Sequence, residues 1–112
     1  MKQMDELVLC DNKTERVWVN VWAEIENGCL KISGQDLGNA PKEFFGSGEF
    51  EYWYNFDEKN TERLIVLLTQ KEHDFKEQLL EKFGGLEGCK RLKEFCKEND
   101  IQYRYMSWVP SD

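Results

Sequence analysis

From Arg16 to Glu26 the chain alternates with a period of two. Val17, Val19, Val21, Ala23 and Ile25 point one way, and Arg16, Trp18, Asn20, Trp22, Glu24 and Glu26 the other. Asn27-Gly28 follows, a pair that tolerates positive φ at both central turn positions and signals a two-residue hairpin. Counting outward from that turn sets Glu26 against Cys29, Ile25 against Leu30, Glu24 against Lys31, Ala23 against Ile32 and Trp22 against Ser33. Apolar residues meet apolar ones and Glu24 meets Lys31, so turn chemistry and side-chain pattern agree on one register. This hairpin, residues 15–35, organises the reading of the rest.

Before it, Leu7-Val-Leu-Cys10 predicts a short strand ended by a turn at Asp11-Asn12-Lys13. After it, residues 36–48 carry too many Gly, Pro and polar breaks for regular structure, with Phe44 and Phe45 expected to tie the connection down. Gly34, inside the hairpin, marks a bulge or a close backbone approach. Glu49 to Asp57 alternates again: Phe50, Tyr52, Tyr54 and Phe56 share one face, and Glu49, Glu51, Trp53, Asn55 and Asp57 the other.

The period then changes to that of helices. Asn60 or Thr61 can cap a helix bearing Leu64, Leu67 and Leu68. A second helix starts near Asp74, aligns Phe75, Leu79 and Phe83, and stops at Gly84-Gly85. A third runs from about Leu86 to Asn99, with Leu86, Cys89, Leu92, Phe95 and Cys96 on one face. Residues 101–109 return to strand character, and Pro110-Ser-Asp closes the chain. Residues 1–112 therefore predict a single α+β domain. Its antiparallel sheet has about four to five strands, N-terminal ones plus a C-terminal one, and about three helices pack on one face.

If the helices cover the face of Val19, Val21, Tyr52 and Tyr54, the other face carries Trp18, Asn20, Trp22, Glu24, Lys31, Glu49, Glu51, Trp53 and Asp57. In the last strand Trp108 shares the polar register with Gln102, Arg104 and Met106. All four tryptophans thus fall on the polar side of their strands. Trp offers much contact area at small entropic cost, and carboxylates among tryptophans suit a basic, partly apolar partner. The candidate binding residues are Trp18, Trp22, Glu24, Glu49, Glu51, Trp53 and Asp57. The competing expectation is that loop 36–48, a helix or a second copy covers this face.

Charge sharpens the partner. The net charge of −7 lies wholly in residues 1–58, which hold 12 acids against 5 bases, whereas residues 59–112 hold 10 of each. Such a surface repels phosphate, which argues against nucleic acid and anionic membranes; it suits a basic partner and equally suits plain solubility. Other chemistry is not legible. His73 stands alone at a helix entry, and no Ser or Cys has a nucleophile's setting. Cys10, Cys29, Cys89 and Cys96 lack metal-ligand spacing, and the Gly34–Gly38 stretch is no phosphate loop. Paired acids such as Glu49/Glu51 read as solvated charge before acid–base catalysis. The expectation is a non-enzyme without cofactor or metal. The absence of a leader-like apolar segment and the unpaired cysteines point to the cytoplasm and reduced thiols.

At Leu30-Lys-Ile-Ser-Gly-Gln-Asp-Leu-Gly38, Phe44-Phe-Gly46 and Glu49-Phe-Glu-Tyr-Trp-Tyr54 the chain resembles small bacterial immunity proteins of contact-dependent growth inhibition and related polymorphic toxin systems. The likeness runs through most of the chain in order. It implies a cytoplasmic, stoichiometric inhibitor of a cognate toxin domain, often a basic nuclease. The free protein is expected to be a monomer or homodimer. The family supplies no fixed binding residues to carry over. Two rivals stand beside this reading. One is a homo-oligomeric structural or regulatory domain that buries its Trp face against itself. The other, ranked last, is a small enzyme or small-molecule binder with a pocket beneath loop 36–48.

Overall fold

A computed structural model describes residues 1–110. The alternating segments form one five-stranded antiparallel sheet whose spatial order follows the chain: β1 (Met4–Lys13), β2 (Trp18–Glu26), β3 (Cys29–Leu37), β4 (Glu49–Asn55) and β5 (Arg104–Trp108). Four helices, α1 (Asn39–Phe45), α2 (Glu58–Leu68), α3 (Phe75–Phe83) and α4 (Gly88–Glu98), complete an α+β fold. The β2–β3 register is the one counted from the turn, from Glu26 opposite Cys29 to Trp22 opposite Ser33 and on to Trp18 opposite Leu37. Asn27 (φ 54°) and Gly28 (φ 80°) both take the positive φ that a type I′ turn requires.

The core lies between the sheet and α2, α3 and α4. Val21, Ala23, Ile25, Leu30, Ile32 and Tyr54 from the sheet, with Phe56 just after β4, meet Leu64, Leu68, Phe75, Leu79, Phe83, Leu92 and Cys96 from the helices. Buried polar groups join the layers. The Leu30 N–H donates to Thr61 Oγ1 at 2.9 Å, and the Gln102 N–H donates to Asn60 Oδ1 at 2.8 Å. Arginines satisfy carbonyls left open at helix ends. Arg91 donates to Lys82 O and Gly84 O after α3, and Arg63 donates to Asn99 O and Asp100 O after α4.

Several boundaries differ from expectation. Asp11-Asn12-Lys13 is not a turn: β1 runs through it, paired to Asn20, Val19 and Trp18. The chain turns instead at residues 14–17, where Thr14 Oγ1 accepts from the Arg16 and Val17 N–H groups. A register shift between Val8 and Cys10 lets the consecutive Leu9 and Cys10 both be buried, a doubling that no period-two pattern contains. The connection 36–48 is not irregular, since β3 extends to Leu37 and α1 fills most of the rest. Phe45 does anchor it, stacking on Phe50 with ring centroids 4.1 Å apart, but Phe44 is 79% exposed.

The cap of α2 is Asp57 rather than Asn60 or Thr61; its side chain accepts from the Asn60 N–H. The α3 cap is Asp74, as expected. Leu86 precedes α4 and is exposed rather than on its apolar face. The last strand is shorter than residues 101–109 and forms an edge of the sheet. Ser111 and Asp112 of the closing Pro-Ser-Asp lie outside the described residues.

Candidate partner-binding face

Among the described residues, no helix lies on the sheet's second face. Strand register fixes its layout as rows running across the strands. One row crosses all five: Val8, Trp22, Ser33, Trp53 and Met106. At about 4.8 Å between strands it spans roughly 19 Å. The next row holds Asp11, Asn20, Gln35, Glu51 and Trp108; beyond it lie Lys13, Trp18, Leu37 and Glu49. On the other side of the tryptophan row stand Glu24, Lys31, Asn55 and Arg104. All four tryptophans share this face. Loop 36–48 does not fold over it, because α1 is held by Phe45 stacking on Phe50, a residue of the opposite face.

Ser33 is only 2% exposed although it belongs to the uncovered face. It lies in register between Trp22 and Trp53, a small residue flanked across the strands by two large ones. The two tryptophans are themselves half-buried, while Trp108 is 50% exposed. Trp18 sits apart, near the β1 corner. Its indole Nε1 donates to Asp11 Oδ1 at 2.8 Å, and Lys13 Nζ lies 5.1 Å from the ring centroid, an arrangement for a cation–π contact.

Glu49 and Glu51 point the same way, two residues apart on β4. The Gln35 amide Nε2 donates to Glu49 Oε1 at 2.7 Å and, more weakly, to Glu51 Oε1 at 3.4 Å. Partial burial and the adjacent Glu49 carboxylate push the Glu51 pKa up, partly offset by Gln35. Among the described residues the ion pairs are Lys31 with Glu24 (3.3 Å) and Arg16 with Glu43. No cation of the chain there neutralises the Glu49–Glu51 pair.

Glu24 and Asp57 belong to a different place. With Glu26, Lys31 and Arg104 they border a cleft of about 580 Å³ at the hairpin end of the sheet. Asp57 is engaged locally, because its Oδ1 also accepts from Asn60 Nδ2, and these hydrogen bonds hold its pKa below the ordinary carboxylate value. The candidate residues therefore spread over the face: Trp22 and Trp53 in the central row, Glu51 in the next, Glu49 beyond it in the row of Trp18, and Glu24 and Asp57 at the cleft.

The chain matches no family model, no curated protein and no solved structure. Its function must be argued from this geometry.

Gln35, Ser33, Val8 and Met106 also belong to this face, and none carries a sequence signal of a binding role. Counting from Asn27-Gly28 already puts Gln35 opposite Asn20 and thus on the Trp face. Its position between two glutamates follows only from the β3–β4 register, which depends on α1. Beneath the sheet, the Tyr52 hydroxyl faces Asp36 Oδ1 at 3.4 Å, and burial raises the pKa of both groups. Among the described residues no group of three or more His, Cys, Asp or Glu side chains is placed to hold a metal, and no helix is long and apolar enough to cross a membrane.

Proposed function

We propose that this protein is a non-catalytic inhibitor of the immunity type, which binds a basic toxin domain through the uncovered sheet face. The observation that carries the reading is the Glu49–Glu51 pair. Two carboxylates held side by side by one amide, with no ion-pairing cation among the described residues, present a site that a guanidinium or ammonium group would complete. Trp53 and Trp108 flank Glu51 along and across the strands, supplying apolar and π surface for the stem of such a side chain.

The acidic surplus of residues 1–58 supports the same reading, since it accelerates encounter with a basic partner and selects against acidic ones. A toxin that acts on nucleic acid carries the matching charge, and occupation of its basic surface would exclude the phosphate backbone.

The test is calorimetry with the purified polypeptide encoded beside the gene, comparing wild type, Trp53→Ala and Glu51→Lys at low and high salt. The expected result is one-to-one binding that weakens with salt and falls at least tenfold in each variant, together with loss of the polypeptide's toxicity in the wild-type complex. Equal affinity of all three proteins would remove this face from the mechanism.

A further inference from the structure

The two edges of the sheet are built differently. β1 is guarded: its register with β2 shifts twice, between Met4 and Leu7 and between Val8 and Cys10, and Asp5, Glu6 and Asp11 are exposed along it. Bulges and charges of this kind keep an edge from pairing with another strand. β5 has neither guard. Its register with β4 is unbroken from Arg104 to Trp108, all five residues are exposed, and its only charge stands at one end. Outside the ladder with β4, no hydrogen bond is made to residues 104–108 among the described residues. Tyr105, on the helix side, is 48% exposed, so no helix overhangs the edge.

We infer that β5 pairs antiparallel with β5 of a second copy, joining two sheets into one of ten strands. The strand is its own complement. Centred on Met106, antiparallel pairing sets Arg104 against the second copy's Trp108, Tyr105 against its Ser107, and Met106 against its Met106. The Arg104–Trp108 pair meets twice, once on each side of the two-fold axis, as cation over indole. Met106, 51% exposed in the free chain, gains a thioether neighbour and the flanking rings. An axis perpendicular to the sheet leaves both Trp faces on the same side and uncovered. The inference thus goes beyond the partner-binding reading and does not depend on it. Five paired residues lie at the low end of specific interfaces, below about 1,200 Å² in total, so the dimer is expected to be concentration-dependent.

Sedimentation of the Cys29→Ser chain from low micromolar to near-millimolar concentration tests this. The expected result is a monomer–dimer equilibrium that Met106→Lys abolishes with an unchanged circular-dichroism spectrum, because two ammonium groups then oppose each other at the axis. In the same background, Met106→Cys should cross-link to a dimer under mild oxidation faster than Ser107→Cys, whose two thiols are out of register. The cross-linking comparison stands alone if the lysine variant fails to fold. A wild-type chain that stays monomeric throughout, a dimer that survives Met106→Lys, or equal cross-linking at the two positions would overturn the inference.

Discussion

Glu49 and Glu51 converge on one donor, the Gln35 amide, which stands 2.7 Å from the first carboxylate and 3.4 Å from the second. The geometry keeps two like charges adjacent on the surface instead of letting them diverge into water. Such an arrangement weakens the free protein slightly, and a cation placed there would relieve the repulsion.

Its pH dependence has a defined sign. Glu51, through partial burial and its neighbour Glu49, and Asp36, through burial, have raised pKa values in the folded chain. Each therefore destabilises the fold when ionised, and that cost fades as pH falls through the raised values. Asp57, lowered by the Asn60 donors, contributes stability above its unfolded pKa and loses it as pH falls through its folded value. Urea midpoints should thus rise modestly on mild acidification and then drop. Glu51→Gln with Asp36→Asn should remove the rise, and Asp57→Ala should lower the neutral-pH midpoint while flattening the acid limb.

Thr61 ties α2 to the hairpin through a buried bond from the Leu30 N–H. Thr61→Val keeps the shape and deletes the acceptor, leaving that amide unsatisfied. Chemical denaturation should show a loss of about 1–3 kcal/mol. A loss below measurement error would mean that the amide finds another acceptor.

Gly34 is required by an aromatic ring. A Cβ placed there would lie 2.1 Å from Cε2 and Cζ of Tyr52. Gly34→Ala must displace the ring and with it the hydroxyl facing Asp36, at a cost of about 1–3 kcal/mol. Combining it with Tyr52→Ala should yield less than the sum of the two single losses in a double-mutant cycle. Strict additivity would contradict the close approach.

The four thiols should separate by reactivity. Cys29 is exposed, whereas burial pushes Cys89 and Cys96 up to about 11 and raises Cys10 as well. Only thiolates attack disulfide reagents readily. Native protein at neutral pH should release one fast equivalent with a chromogenic disulfide, and Cys29→Ser should release none. Two fast equivalents would show that α4 opens easily.

Much of this architecture is legible in the chain because its rules are local. The Asn27-Gly28 turn determines a whole register, and period-two alternation separates Trp18, Trp22 and Trp53 from the core side of their strands. Asp57 is a candidate binding residue by its strand register and also the cap of α2, a second role that only the position of Asn60 reveals, because the same carboxylate suits both settings. The doubled burial of Leu9 and Cys10 needs a bulge that leaves no periodic trace. The helix at residues 39–45 hides behind Pro41 and flanking glycines, and without it the alignment of β3 on β4, and so the Gln35–glutamate contact, cannot be counted out. The binding role proposed for the face, in contrast, is a matter of what lies outside the chain, and neither period nor propensity encodes a partner.

The meander order of the sheet also sets a sequence of events in time. β1 to β4 can zip through short connections, but the β4–β5 ladder closes a loop containing α2, α3 and α4. Its entropic cost is met only after those helices have collapsed on the sheet. β5 is thus expected to dock last and open first, and its amides should exchange with solvent faster than those of β2 and β3. A strand held so loosely can adjust its twist to a neighbour at little cost, which makes the sheet's least protected boundary also its most adaptable one.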